Sequence, residues 1–258
     1  MKIALCNIPI LWEDLDKNID HCKSIAKAVN ENNSGVELVL FPEFFSYGFS
    51  VESGLSEEQT GKSLAFLINC AANNNSAVYA SVPVKEGNKV YNRGYFVKPD
   101  GSFEYYDKRH LFSYGGENRA FNPGKKRVIV EYGGWRILLQ ICYDLRFPIW
   151  SRNVNLEYDL ILYISSWPST RSSVILPLSS ARAIENQSYV AFLNRSGSDP
   201  DSNYSGENFV LSPKGEFLQP ITTNVNKHFS VFNLDKDKLL SYRNKFQPWR
   251  DSDKFEIL

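Results

Sequence analysis

The sequence predicts an α/β fold, a mixed β-sheet system covered by helices, in a single domain spanning residues 1–258. Three observations carry this expectation. Short apolar runs alternate with helix-period segments through the first 84 residues. The middle of the chain changes to alternating strands joined by tight turns. No Pro/Gly-rich or charged linker and no internal repeat divides the chain, so its elements belong to one layered core.

The elements follow in order. KIALCNIPI (2–10) reads as a first strand. Residues 16–30 place Ile19, Cys22, Ile25, Ala26 and Val29 on one helical face. VELVLFP (36–42) is a short apolar run of the kind found in a buried strand. SLAFLINCAAN (63–73) is a second helix and SAVYASVPV (76–84) another strand. Residues 87–108 read as a β-meander turning at Pro99-Asp100-Gly101. Residues 127–144 read as a hairpin around Gly133-Gly134. YDLILYISSWP (158–168) is a buried strand and residues 176–189 a helix. Residues 190–197, 207–220 and 228–234 read as strands, and residues 235–246 as a closing helix.

Composition excludes several functions. The chain carries 29 basic and 29 acidic residues, for a formal net charge of zero. With no long run of either sign, nothing favours nucleic acid or an anionic membrane as partner. No apolar stretch approaches the roughly 20 residues needed to span a bilayer. The N-terminal apolar run is interrupted by Asn7 and Pro9 and meets Glu13, with no small-residue cleavage site, so it reads as a strand rather than a signal peptide. A cytoplasmic protein is expected. Cys6, Cys22, Cys70 and Cys142 are far apart, and His21, His110 and His228 are scattered. These spacings point to neither a disulfide framework nor a zinc site. Glycine-rich nucleotide-binding patterns are absent too, so no metal and no cofactor is expected.

Three apolar strands end in chemistry-bearing residues: at Glu43, at Cys142, and at Ser166-Trp167. Ligands of α/β folds bind beyond the carboxyl ends of strands, so these residues are expected to share a pocket. A cysteine attacks as thiolate, and needs a base or a positive field. Cys142 alone reads more readily as a packing thiol than as a nucleophile. His110, in YDKRHLF, is one candidate base, and Lys108 in the same segment could supply a positive field. Glu43 is the other candidate base. Flanked by Pro42, Phe44 and Phe45, its carboxylate is expected to be desolvated and pushed up towards neutral pH. Glutamate, lysine and cysteine make a complete set for amide hydrolysis: nucleophile, proton carrier and oxyanion holder. From these residues alone the Cys/His and Cys/Glu/Lys readings both stay open.

FPEFFSYGFS (41–50), YDKRHLF (106–112) and QICYDLRFPIWSRN (140–153) together resemble the three signature segments of the nitrilase superfamily, the carbon–nitrogen hydrolases. They occur in that family's chain order, and residues 165–199 resemble the segment that follows its cysteine, so the likeness covers nearly the whole chain. The resemblance implies an αββα sandwich of two mixed sheets flanked by helices, a homodimer, and no cofactor. It implies a catalytic triad of Glu43, Lys108 and Cys142. It further implies that Glu117, in SYGGENRAF, supports the lysine, and that the backbone N–H of Tyr143 is a second oxyanion donor. Arg146 either pairs with Asp144 or binds a substrate carboxylate, and Ser166 and Trp167 line the pocket wall or, for Trp167, simply pack.

Within the superfamily, YDKRHLF, ICYDLRFP and the ending LSYRNKFQPWRDSDKF look like the omega-amidase-like branch. That branch implies a small anionic amide as substrate, 2-oxoglutaramate or 2-oxosuccinamate, cleaved through a cysteine thioester with release of ammonia. The competing readings are another amidase or carbamoylase of the same fold, for example one acting on deaminated glutathione. A catalytically silent binding module and a thiol redox sensor built on Cys142 are the remaining two.

Overall fold

The computed structural model describes the chain except residues 52–54, 254 and 257–258. Two mixed sheets stack face to face, with helices on both outer surfaces. The first sheet has the order β14-β15-β1-β2-β4-β5-β6, with the short β3 beside β4. Its strands are β1 (Lys2–Cys6), β2 (Leu38–Leu40), β3 (Glu57–Glu58), β4 (Ala77–Glu86), β5 (Lys89–Val97), β6 (Phe103–Asp107), β14 (Thr222–Asn224) and β15 (Phe229–Asn233). The second has the order β13-β10-β9-β8-β7. Its strands are β7 (Ile129–Tyr132), β8 (Trp135–Ile141), β9 (Leu160–Ser165), β10 (Tyr189–Asn194) and β13 (Asn208–Leu211). A separate two-stranded ribbon joins β11 (Ser196–Ser198) to β12 (Asn203–Ser205).

Each sheet has a parallel centre and antiparallel flanks. β1, β2 and β4 run parallel, as do β8, β9 and β10. Side-chain alternation then decides what each face meets. Ile3 and Leu5 of β1, Leu38 and Leu40 of β2, and Ala77 and Tyr79 of β4 join the core between the sheets. Their neighbours Ala4, Cys6, Val39, Val78 and Ala80 face outward against helices α1 (Leu15–Asn32) and α2 (Lys62–Asn74). The near-continuous apolar runs of β8, β9 and β10 are the signature of strands covered on both faces. Helices α4 (Ile175–Asn186) and α5 (Lys236–Lys245) contribute Ile175, Ala183 and Leu239 to the core of this second half.

Local chemistry sets the ends. Asp14 caps α1 by accepting from the Lys17 N–H at 3.2 Å. Asn75 takes φ 46° at the end of α2, and the Ser76 N–H returns to the Ala71 carbonyl at 3.2 Å. Gly133 and Gly134 both have positive φ between Tyr132 and Trp135, the two-residue hairpin turn that their sequence demands.

Several expected strands are shorter than the sequence reading. The first ends at Cys6, because the chain leaves the sheet to meet the ribbon at the Pro9↔Ser196 bridge. The 190–197 segment divides into β10 and β11 at Arg195, whose buried guanidinium donates to the carbonyls of Ile10 and Ser198. Only Asn208–Leu211 of the 207–220 segment is a strand before a turn at Ser212 reverses the chain. A short helix, α3 (Glu117–Ala120), interrupts the loop after β6. Among the described residues no helix is long and apolar enough to cross a membrane.

Candidate active site

The parallel strands of both sheets end on the same side, and their exits converge. β2 stops at Leu40, and Phe41-Pro42 leads directly to Glu43. The next residue, Phe44, has φ +50° and donates its N–H to the Ser81 hydroxyl at 3.0 Å, so the turn aims Glu43 back under the sheet. β6 stops at Asp107 and delivers Lys108. β8 stops at Ile141 and delivers Cys142, which opens a 3₁₀ turn over Cys142–Arg146 with φ +44°. A non-glycine residue in the left-handed region costs roughly 1–2 kcal/mol, which the surrounding packing must offset.

Beneath Cys142 lies a fully buried polar cluster. Lys108 Nζ donates to Glu43 Oε1 at 2.8 Å and to the Glu117 oxygens at 3.0 and 2.8 Å. Glu43 and Glu117 also share the amide of Asn92, at 2.8 and 3.0 Å. The other Glu43 oxygen accepts the Ser166 N–H at 2.8 Å, and Glu117 accepts the Phe112 N–H at 2.6 Å. Glu43, Lys108, Glu117 and Asn92 all have 0% exposure, which an ionised cluster tolerates only because its members are paired and hydrogen-bonded. Burial pulls the Lys108 pKa down, but Glu117 and Glu43 outweigh it, so the ammonium is held above the ordinary lysine range. Burial raises Glu117, Lys108 opposes the rise, and the Glu43 charge adds to it.

Burial also pushes the Cys142 thiol well above its ordinary value. The adjacent Glu43 carboxylate adds to the rise by its charge and by a hydrogen bond, and Lys108 opposes it. The thiol therefore rests protonated at neutral pH and needs a neighbouring base before it can attack. The group beside it is a carboxylate.

Cys142 opens onto a cavity of about 480 Å³. Aromatic walls come from Trp12, Phe49, Phe112, Tyr143 and Trp167, and cations from Arg119, Arg146 and Arg171. Tyr143 follows the nucleophile at the start of the turn, where backbone N–H groups have no intrahelical acceptor. Ser166 lines the cavity and also fixes Glu43, through its N–H and through its hydroxyl on the Glu43 carbonyl at 3.0 Å. Trp167 is held at both ends: its N–H meets Asn194 Oδ1 at 2.7 Å and its indole N–H the Arg171 carbonyl at 2.9 Å.

The geometry bears on two alternatives left open by the residue reading. His110 is committed elsewhere: its Nδ1 lies 2.8 Å from Asp144 Oδ1 and its ring stacks on Phe147 at 3.8 Å. The Asp144–Arg146 pairing does not form. Asp144 is occupied by the His110 N–H at 3.0 Å, the Ile141 N–H at 3.1 Å and the Tyr106 hydroxyl at 2.8 Å. A short turn points its side chain back to the strand ends while Arg146 projects into the cavity, 5.2 Å from the Trp167 ring centre. Asn92 and Asp144 are the site-supporting residues that sequence reasoning missed. Asn92 stands beside Arg93 in a strand of mixed polarity, so no local signal marks it.

The architecture agrees with the comparisons to known proteins. Residues 2–243 match the carbon–nitrogen hydrolase family, and the chain belongs to it: it is a hydrolase acting on carbon–nitrogen bonds. Omega-amidase YafV of Escherichia coli is 38% identical over 258 residues, covering 100% of this chain and 98% of that protein. The 2-oxoglutaramate amidase of Bacillus subtilis is 30% identical over 207 residues, covering 78% and 80%. A crystal structure of a carbon–nitrogen hydrolase superfamily protein from Xanthomonas campestris, with an arsenic adduct in its active site, superposes with a TM-score of 0.93. It is 33% identical and covers 100% of this chain and 98% of that one.

Proposed function

We propose that this chain is an omega-amidase that cleaves the terminal amide of a small 2-oxo acid, such as 2-oxoglutaramate or 2-oxosuccinamate. The observation that carries the reading is the placement of Cys142, beside the buried Glu43–Lys108 pair, at the floor of an arginine-lined cavity. The name of the Bacillus subtilis relative, 2-oxoglutaramate amidase, points to the first of these substrates, and that of the Escherichia coli relative to the same class of amidase.

In the proposed reaction, Glu43 takes the thiol proton as Cys142 Sγ bonds to the amide carbon. The carbonyl π electrons move to oxygen, where Lys108 Nζ and the Tyr143 N–H hold the oxyanion. Collapse breaks the C–N bond, and Glu43 passes its proton to the leaving nitrogen, releasing ammonia. Glu43 then takes a proton from water as that water attacks the thioester. The second collapse expels the sulfur, which regains its proton, and frees the diacid. Glu117 and Asn92 keep Lys108 and Glu43 in register throughout, and Arg146 receives the substrate carboxylate bidentately. The four free cysteines suit a reducing, cytoplasmic setting. The homodimer contact is assigned to α4, which exposes the apolar side chains of Leu176 and Ile184.

The experiment is ammonia release from 2-oxoglutaramate by the purified protein, with Cys142→Ala as control. Cys142-dependent release is expected. Release that persists in Cys142→Ala would overturn the mechanism, and no release from the intact protein would overturn the substrate.

A further inference from the structure

Two cations of the cavity face ring surfaces instead of acids. Among the described residues, neither Arg146 nor Arg171 forms an ion pair with a carboxylate. The Arg146 guanidinium lies 5.2 Å from the Trp167 ring centre. That of Arg171 lies 5.0 Å from Phe112 and 5.6 Å from Tyr114. Arg171 is anchored by its backbone: its N–H donates to the Pro168 carbonyl at 3.0 Å, and its carbonyl accepts the Trp167 indole. Both side chains are half-buried and line the cavity that contains Cys142. A guanidinium lying on a ring keeps its edge N–H donors available for a planar acceptor.

The acids on the same cavity do not balance them. Asp199 accepts the Tyr204 hydroxyl at 2.6 Å and the N–H groups of Asp201 and Ser202 at 3.0 and 2.8 Å, beside Arg195. Asp201 is exposed to solvent. The cavity is therefore built for an acceptor-rich anion.

We propose that Arg171 acts with Arg146 as a receptor for the carboxylate and the neighbouring 2-oxo oxygen, and so selects a 2-oxo acid amide over the corresponding 2-amino acid amide. This rests on the amidase reading above. A carboxylate beside a keto oxygen offers only acceptors to the two forks. An ammonium at the same carbon is a cation and offers only donors, so it meets repulsion where the keto oxygen meets hydrogen bonds. One charge-assisted hydrogen bond corresponds to about a 10- to 100-fold change in binding.

The test uses the full chain, Arg171→Gln and Arg171→Lys. Values of kcat/KM are measured for 2-oxoglutaramate, glutamine and the uncharged pentanamide. The preference for 2-oxoglutaramate over pentanamide is expected to fall about 10- to 100-fold in Arg171→Gln, mostly through KM. Arg171→Lys, which retains the charge without the fork, should regain part of it. A second measurement is independent of turnover: protection of Cys142 from iodoacetamide, read by mass spectrometry. In the unmodified chain 2-oxoglutarate should protect at lower concentration than glutamate, and Arg171→Gln should abolish that difference. An unchanged preference in Arg171→Gln overturns the proposal. Equal protection by 2-oxoglutarate and glutamate in the unmodified chain does so too. If the intact protein releases no ammonia from 2-oxoglutaramate while protection still depends on Arg171, the substrate assignment falls and the receptor stands.

Discussion

Replacing Glu117 by glutamine changes one atom in a carboxylate whose two oxygens each accept from two donors. Glu117 Oε1 accepts from Lys108 and Asn92, and Oε2 accepts from Lys108 and the Phe112 N–H. Whichever end of the glutamine carries the NH₂ group, it faces two donors. Two hydrogen bonds to an ionised group are lost, each worth about 1.5–3 kcal/mol, which puts the total at about 3–6 kcal/mol. At roughly 2 °C per kcal/mol for a chain of this size, the melting temperature should fall by about 6–12 °C. The Lys108 ammonium, held until then between two carboxylates, keeps only Glu43 and is drawn towards it. Under the proposed mechanism Lys108 then leaves its place at the oxyanion. If half of the loss appears in the transition state, kcat falls by about 10- to 150-fold. Thermal denaturation and steady-state ammonia release measure the two parts. A variant with kcat within threefold of the parent and an unshifted melting temperature would refute the placement of Glu117 as the brace of Lys108.

Other outcomes follow from the same geometry. Cys142→Ala should abolish turnover and stay folded, and Cys142→Gly should be more stable than Cys142→Ala by about 1 kcal/mol, because only glycine relieves the positive φ at that position; equal urea midpoints would contradict the strain. Asp144→Asn should lower stability by about 2–4 kcal/mol, since the new NH₂ must face the Ile141 N–H and Tyr106 hydroxyl or the two His110 groups; guanidinium titration reads it. Burial raises the Cys70 thiol from its ordinary value near 9.0 to about 12, with the Asn74 hydrogen bond opposing. The folded chain then holds a proton that the unfolded chain releases, so stability present below pH 9 is lost as pH rises towards 12, by about 1.4 kcal/mol per pH unit for this thiol. Cys70→Ala should flatten that alkaline slope, and an identical slope would exclude the thiol as its source.

Glu43 and Cys142 were legible because each sits where an apolar run stops, and Lys108 through the YDKRHLF segment that resembles the family's lysine motif. Glu43 lies just past β2 and Cys142 follows β8, and sequence patterning marks the ends of apolar strands well. The residues that hold them were not. Asn92 lies within β5 with the ordinary look of a strand polar residue, and its role exists only because β5 lies beside β6 and across from α3. Asp144 was weighed as the partner of Arg146, its near neighbour in sequence. A 3₁₀ turn sends the two side chains apart, and the turn follows from tertiary contacts of Tyr106 and His110 that no local pattern encodes. Short elements such as β3 and the β11–β12 ribbon escaped for the same reason, because their pairing partners are set by the fold.

Glu43 and Lys108 lie just past strands of the first sheet, while Cys142 and Ser166 follow strands of the second. The site is thus a seam between two layers, and neither layer owns a working half. A chain that has zipped each sheet but not yet docked one on the other has its full strand content and no nucleophile–base pair. During refolding, the circular dichroism of the strands should return before or with turnover, never after it. Activity in this fold therefore counts molecules whose two layers have met, and a fragment carrying either sheet alone would be inert however well ordered it became.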